Sequence, residues 1–210
     1  MAEQGWKNRL VRFAEWFSRL AYINLLWIGF TLLGVILLGF IPSTIAMFGV
    51  LRKWMKGELE GSVFGAFWTF YRQEFLKSNV AAVPFLVIGY IMYVDVVVFD
   101  FGSSMSMQIL KFILYLLAFL YVLIAVYFFP VYVQYELKWY QYLKLSVLMA
   151  FATPFRAIWM VIIGYGVCFL MAKMPIVMLF FLGSAIAYLW LMIALPAFYK
   201  LERREKKLEN

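Results

Sequence analysis

The hydrophobic pattern of the chain is a series of long apolar runs separated by short basic segments. Four of these runs approach the length of about 20 residues that a helix needs to cross a hydrocarbon core about 30 Å thick. Each run therefore predicts a transmembrane helix. The four runs are residues 79–99, 112–132, 155–172 and 174–199.

A fifth uncharged run, residues 20–51, is too long for one straight span. At 1.5 Å per residue it would measure about 48 Å. Pro42 lacks a backbone donor and is best accommodated in a first helical turn. The pattern therefore predicts a break near Phe40 and a new helix from Ser43 to Lys56. Residues 20–56 form either one span or a hairpin, and the sequence leaves both open.

Three other segments are amphipathic rather than uniformly apolar. In residues 1–19, Phe13 and Phe17 fall on one side of a helical wheel and Arg19 falls on the other. Residues 62–77 and the stretch 134–144 separate aromatic from basic side chains in the same way. Helices of this kind lie along a membrane surface with the aromatic face in lipid. We therefore predict three interfacial helices.

The composition indicates that lipid is the main solvent of this chain. Apolar residues make up 66% of the sequence and charged residues 14%, against about 45–50% and about 25% in soluble domains. We predict one membrane domain over residues 1–210, an all-α polytopic bundle of five or six spans plus amphipathic interfacial helices. The net charge of +8 does not predict a nucleic-acid partner, because the basic residues lie between apolar runs.

Basic residues that flank short spans favour the cytoplasmic side of a membrane. If residues 20–51 turn back as a hairpin, only Lys111 and Lys173 among the basic residues lie outside. A single crossing leaves more of them outside, so the charge distribution favours the hairpin. Both arrangements predict a multi-pass protein whose C-terminal tail, residues 200–210, is cytoplasmic.

The chain offers few groups for catalysis or metal binding. It has no histidine and one cysteine, Cys168, which lies in an apolar run. Ordinary zinc and haem sites, a histidine-based triad and a Gly-rich phosphate loop are therefore missing from the sequence. We predict no enzyme activity and no cofactor. Asp95, Asp100 and Arg156 lie near span ends, where solvation or extension toward headgroups explains them.

Two clusters in the first half of the chain resemble the signature of the YesL-like family of bacterial integral membrane proteins (domain of unknown function 624). The resemblance covers residues 24–79 specifically, and the family pattern has alanine where this chain has Ser43. It implies a bacterial plasma-membrane protein without an established activity, often associated with carbohydrate ABC import systems. The residues that carry it are Phe40-Ile41-Pro42-Ser43-Thr44, Arg52-Lys53-Trp54, Phe67-Trp68, Tyr71-Arg72, Glu74-Phe75, Lys77 and Asn79.

Our functional hypothesis is a non-enzymatic accessory component that works beside such an importer. Its partners would be the lipid bilayer and ABC importer subunits. The alternative is a small membrane transporter or channel, for which recurrent prolines near span ends and a degenerate internal repeat are the support. The candidate partner-contact surface consists of Arg52, Lys53, Trp54, Trp68, Arg72 and Glu74.

Overall fold

The computed structural model describes residues 2–98, 102 and 104–209, and every regular element in these residues is helical. A single π-helical turn, Val94–Val98, follows the third helix. This architecture confirms the prediction of an all-α bundle. The helices are α1 (Ala2–Leu33), α2 (Leu37–Lys56), α3 (Val63–Tyr93), α4 (Met105–Gln134), α5 (Trp139–Ala152), α6 (Pro154–Ala172) and α7 (Pro175–Glu209).

Five segments of the described chain are long and apolar enough to cross a membrane, which fits a multi-pass membrane protein. Helix α2 is not among them, since Arg52, Lys53 and Lys56 occupy its last turns. The five candidate spans are Phe13–Leu33, Val63–Val98, Met105–Gln134, Pro154–Ala172 and Pro175–Arg203.

Several predicted boundaries differ from the structure, because segments assigned to separate helices are continuous. Residues 1–19 and the first span belong to α1, which has no proline or other strong breaker around Arg19 and Leu20. Residues 62–77 and 79–99 likewise share α3, which passes through Pro84 without ending. Residues 134–144 do not form one interfacial helix, because they divide between the end of α4, an extended connection and the start of α5. The C-terminal tail continues α7 as a helix. Phe99, Asp100 and Asn210 lie outside the described residues.

The predicted break near Phe40 is wrong, because the chain turns earlier, between α1 and α2, and Pro42 lies inside α2. Two glycines explain this position. A Cβ atom on Gly39 would lie 2.5 Å from the Thr31 carbonyl oxygen and 2.8 Å from the Gly34 Cα atom. Only glycine permits such a close backbone approach, so the chain reverses where Gly34 and Gly39 meet.

Hydroxyl and indole groups join the two arms of this helical hairpin. Trp27 Nε1 donates a hydrogen bond to Thr44 Oγ1 at 3.0 Å. The hydroxyls of Thr31 and Ser43 lie 2.6 Å apart, and Thr44 also donates to the Phe40 carbonyl at 2.6 Å. The stretch 41–51 of α2 is buried throughout, so α2 forms the centre of its part of the molecule.

The chain folds as two compact units, Met1–Phe75 with Ile163–Leu189, and Leu76–Ile162 with Trp190–Asn210. In the first unit, the buried side chain of Asn24 binds the backbone of α7. Its amide Nδ2 donates to the Leu179 carbonyl at 2.7 Å, and its Oδ1 accepts from the Ser184 N–H at 3.0 Å. Residues distant in sequence therefore fix α1 against α7.

The second unit is held by aromatic packing and by bonds to helix backbones. Tyr121 donates to the Phe85 carbonyl at 2.7 Å, which joins α4 to α3. Arg156, which we interpreted as extending toward headgroups, is half-buried and donates to the Ile193 carbonyl at 3.2 Å. This carbonyl lies within one turn before Pro196, whose missing N–H and bulky ring weaken the hydrogen bonding of α7 there.

Candidate functional site

The C-terminal end of α2 positions the first three candidate residues. Gly57 ends the helix with a left-handed backbone (φ 72°), and its N–H bonds to the carbonyls of Lys53 and Trp54. A residue without Cβ takes this conformation at little cost, which is why helices commonly end at glycine. Basic side chains in the last turn also complement the negative end of the helix dipole.

Arg52, Lys53 and Trp54 are only half-buried, yet their neighbours restrict them. The Trp54 ring lies 6.0 Å from the Tyr188 ring, and the Arg19 guanidinium lies over Trp54 at 5.6 Å. Trp54 is therefore a packing residue between helices at least as much as a contact residue. Arg19 and Tyr188 belong to this cluster through α1 and α7, and the pattern around α2 could not indicate them.

Trp68 and Arg72 form a second group on the exposed side of α3. They are four residues apart and therefore share one helical face. Phe67 and Tyr71 lie about 100° further around the helix and are buried, and Tyr71 donates a hydrogen bond to the Phe30 carbonyl at 3.1 Å. The buried side fixes α3, so the exposed side is presented by a rigid helix.

The exposed face of α3 carries an open recess of about 410 Å³ lined by Trp68, Thr69, Arg72 and Gln73. Trp68 is 44% exposed, and Arg72 is exposed as well. The predicted polar face of residues 62–77 already contained Thr69 and Gln73, so the amphipathic pattern was the signal that could have added them to the site.

A neighbouring polar cavity of about 370 Å³ extends from this recess toward the α2–α3 connection. Thr69 and Gln73 line both spaces, and Lys53 adds a positive charge to the cavity. Lys53 Nζ also lies 5.1 Å from the centre of the Phe70 ring. Glu58 and Glu60 line the same cavity, so its lining carries both signs of charge.

The structure therefore divides the six candidate residues into three sets. Trp68 and Arg72 share an open face, which Lys53 approaches through the adjoining cavity. Arg52 and Trp54 lie at the end of α2, and Trp54 packs against α7. Glu74 is half-buried, and a six-residue offset from Trp68 places it on a different side of α3.

The comparison with known proteins bears on this region directly. A family model described as "Protein of unknown function, DUF624" matches residues 20–96. The uncharacterized protein YteU of Bacillus subtilis (strain 168) is 36% identical over 203 residues, which cover 97% of this chain and 91% of that protein. The chain belongs to the DUF624 family. This result confirms the resemblance inferred from the sequence.

Two further relatives from Bacillus subtilis (strain 168) match along most of their length. YesL is 28% identical over 200 residues, covering 95% of this chain and 94% of that protein. YesV is 31% identical over 185 residues and covers 88% of each. Both are described as uncharacterized proteins, and no solved structure matches the chain. All six candidate residues lie inside the segment matched by the DUF624 model.

Proposed function

We propose that this DUF624 protein is a non-enzymatic accessory component of a carbohydrate ABC import system in the bacterial plasma membrane, with a cytoplasmic C-terminus. The observation that carries the proposal is the open face formed by Trp68 and Arg72. Tryptophan and arginine are the side chains most enriched at the energetic centres of protein interfaces. A rigid helix that presents both beside a recess suits docking to a partner.

The surroundings of this face support docking of a polar partner surface. Thr69 and Gln73 offer hydrogen-bonding groups next to the two anchors, and Lys53 brings a cation to the adjoining cavity. A planar indole gives contact area at low entropic cost, and a guanidinium pairs with carboxylates through two parallel hydrogen bonds. The choice of a carbohydrate ABC importer as the partner rests on the resemblance to the YesL-like family.

The test is copurification from native membranes with the double variant Trp68→Ala/Arg72→Ala. The matched control is Trp139→Ala/Lys144→Ala, which removes one exposed tryptophan and one exposed cation elsewhere. We expect the wild type and the control to retain the importer subunits, and the double variant to lose them at equal membrane abundance. Unchanged copurification of the double variant, or unchanged sugar uptake after gene deletion, would refute the proposal.

A small transporter or channel is the second candidate and has weaker support. Pro42, Pro130 and Pro196, which motivated it, lie inside continuous helices rather than at helix breaks. Discontinuous helices are what commonly build transporter sites. Flux of a sugar or an ion through reconstituted vesicles, absent from protein-free vesicles, would favour this candidate over the accessory role.

A further inference from the structure

The turn between α1 and α2 has an unusual surface for a connection between helices. Its large side chains are all apolar, with exposed fractions from 58% to 85%. Connections that face water are rich in Gly, Asn, Asp, Ser and Pro, and the described part of the α3–α4 connection fits that rule with Gly102 and Ser104. The exposed residues of the α1–α2 turn are Leu32, Leu33, Val35, Ile36, Leu37 and Leu38.

The backbone N–H groups of residues 34–37 in this turn all donate internal hydrogen bonds. The Gly34 N–H donates to the Phe30 carbonyl at 3.1 Å, and the Ile36 N–H donates to the Thr31 carbonyl at 2.9 Å. The N–H groups of Val35 and Leu37 also bond within the turn. A turn in water can leave backbone N–H groups to bond with solvent. In hydrocarbon these groups need partners within the protein, since an unpaired backbone group there costs several kcal/mol.

Val35 and Ile36 both have a positive φ, 57° and 56°, and Ile36, with ψ of −68°, is the centre of a γ-turn in which the Leu37 N–H bonds to the Val35 carbonyl. Such sparsely populated backbone conformations cost on the order of 1–3 kcal/mol each. Glycine would relieve the strain, and a turn in water commonly has glycine or asparagine at such positions. Large apolar side chains at these two positions fit a turn that contacts lipid.

The uncharged arms of the hairpin are too short to cross a bilayer, and the longer α1 segment Phe13–Leu33 reaches the length of a span only by including Glu15 and Arg19. Residues 20–33 span about 21 Å and residues 37–51 about 22 Å at 1.5 Å per residue, against a hydrocarbon core of about 30 Å. Arg19 lies over Trp54. The charged start of the α1 arm and the charged end of the α2 arm are therefore level with each other along the hairpin. With these ends at one interface, the turn stops inside the hydrocarbon.

The position of the neighbouring α6–α7 turn agrees with an α1–α2 turn that lies inside the hydrocarbon. Asn24 faces Leu179 and Ser184, so the start of α7 reaches a height close to that of the α1–α2 turn. The charge there is Lys173, which is exposed. A lysine can keep its stem in lipid while its ammonium extends to the headgroups.

We infer that α1 and α2 form a re-entrant hairpin, which enters and leaves the bilayer on the same side and whose turn contacts lipid acyl chains. The exposed residues 32–38 are then a lipid-contact surface rather than a loop on the far side. This inference does not depend on the proposed importer partner.

Cysteine accessibility in the full-length protein tests the inference. In a Cys168→Ser background, single substitutions Val35→Cys and Leu37→Cys are compared with Ser104→Cys in the polar α3–α4 connection. A membrane-impermeant maleimide is applied to sealed spheroplasts and to inverted vesicles. We expect Ser104→Cys to react from one face, and the two turn variants to react only after detergent solubilisation. Reaction of either turn variant from one face in intact membranes would overturn the inference.

A spin label on the same cysteines removes the ambiguity of a negative labelling result. A lipid-exposed label collides often with oxygen and rarely with a polar nickel complex, whereas a label buried in protein is protected from both. We expect the lipid pattern at Val35→Cys and Leu37→Cys and the aqueous pattern at Ser104→Cys. Nickel accessibility at the turn equal to that of Ser104→Cys would also overturn the inference.

Discussion

Asn24 provides the most direct test of how α1 is joined to α7. Its side chain is 1% exposed and makes two hydrogen bonds to the α7 backbone, one as donor at 2.7 Å and one as acceptor at 3.0 Å. The substitution Asn24→Leu removes both bonds while keeping the number of side-chain heavy atoms and their branching at Cγ. The loss of stability therefore reports on hydrogen bonding rather than on a cavity.

The expected magnitude follows from measurements on other helical membrane proteins. A hydrogen bond between membrane helices contributes about 0.6 kcal/mol on average and about 1.7 kcal/mol at most. Two bonds therefore give about 1–3 kcal/mol. In a chain of this size, 1 kcal/mol shifts the midpoint of thermal unfolding by about 2–4 °C. We expect Asn24→Leu to lower the midpoint by about 2–12 °C.

Thermal unfolding in lipid nanodiscs, followed by circular dichroism, is the appropriate assay. Thr69→Val is the matched control, because Thr69 is exposed and its hydroxyl bonds only within α3, to the Gly65 carbonyl. It should leave the midpoint nearly unchanged. If Asn24→Leu unfolds at the wild-type temperature, the two bonds do not stabilise the packing of α1 against α7, and this account of the first unit is refuted.

Two further substitutions test the hairpin and its contact with α3. Gly39→Ala should prevent the close approach at the turn, because its Cβ would lie 2.5 Å from the Thr31 carbonyl oxygen. We expect Gly39→Ala to reduce the yield of folded protein. The control Gly29→Ala has open space at its Cβ and should fold normally. Equal yields of the two variants would contradict the geometry of the turn. Tyr71→Phe removes the bond to the Phe30 carbonyl and should cost about 1 kcal/mol; an unchanged unfolding midpoint would show that this bond does not contribute.

The six candidate residues show what a local sequence pattern can predict and what it cannot. The amphipathic pattern put Trp68 on the aromatic face of residues 62–77 and Arg72 on the polar face, whereas in the structure both line one recess, because residues four apart lie close together on an α-helix. The six-residue offset of Glu74 from Trp68 also places Glu74 on another side of α3, but such reasoning could not show that Trp54 packs on Tyr188. That contact depends on where α7 lies beside α2, which is a property of the packed unit.

The sequence by itself determined the medium, the helical class and the family. Apolar runs of sufficient length require lipid, and lipid requires internally bonded backbone, so helices follow from composition and periodicity alone. The tertiary structure decided where the helices begin and end and which polar groups pair. Pro42 is tolerated inside α2 because the turn forms where Gly34 meets Gly39. Asn24 finds its partner 155 residues away, and no local pattern encodes a contact between segments so distant along the chain.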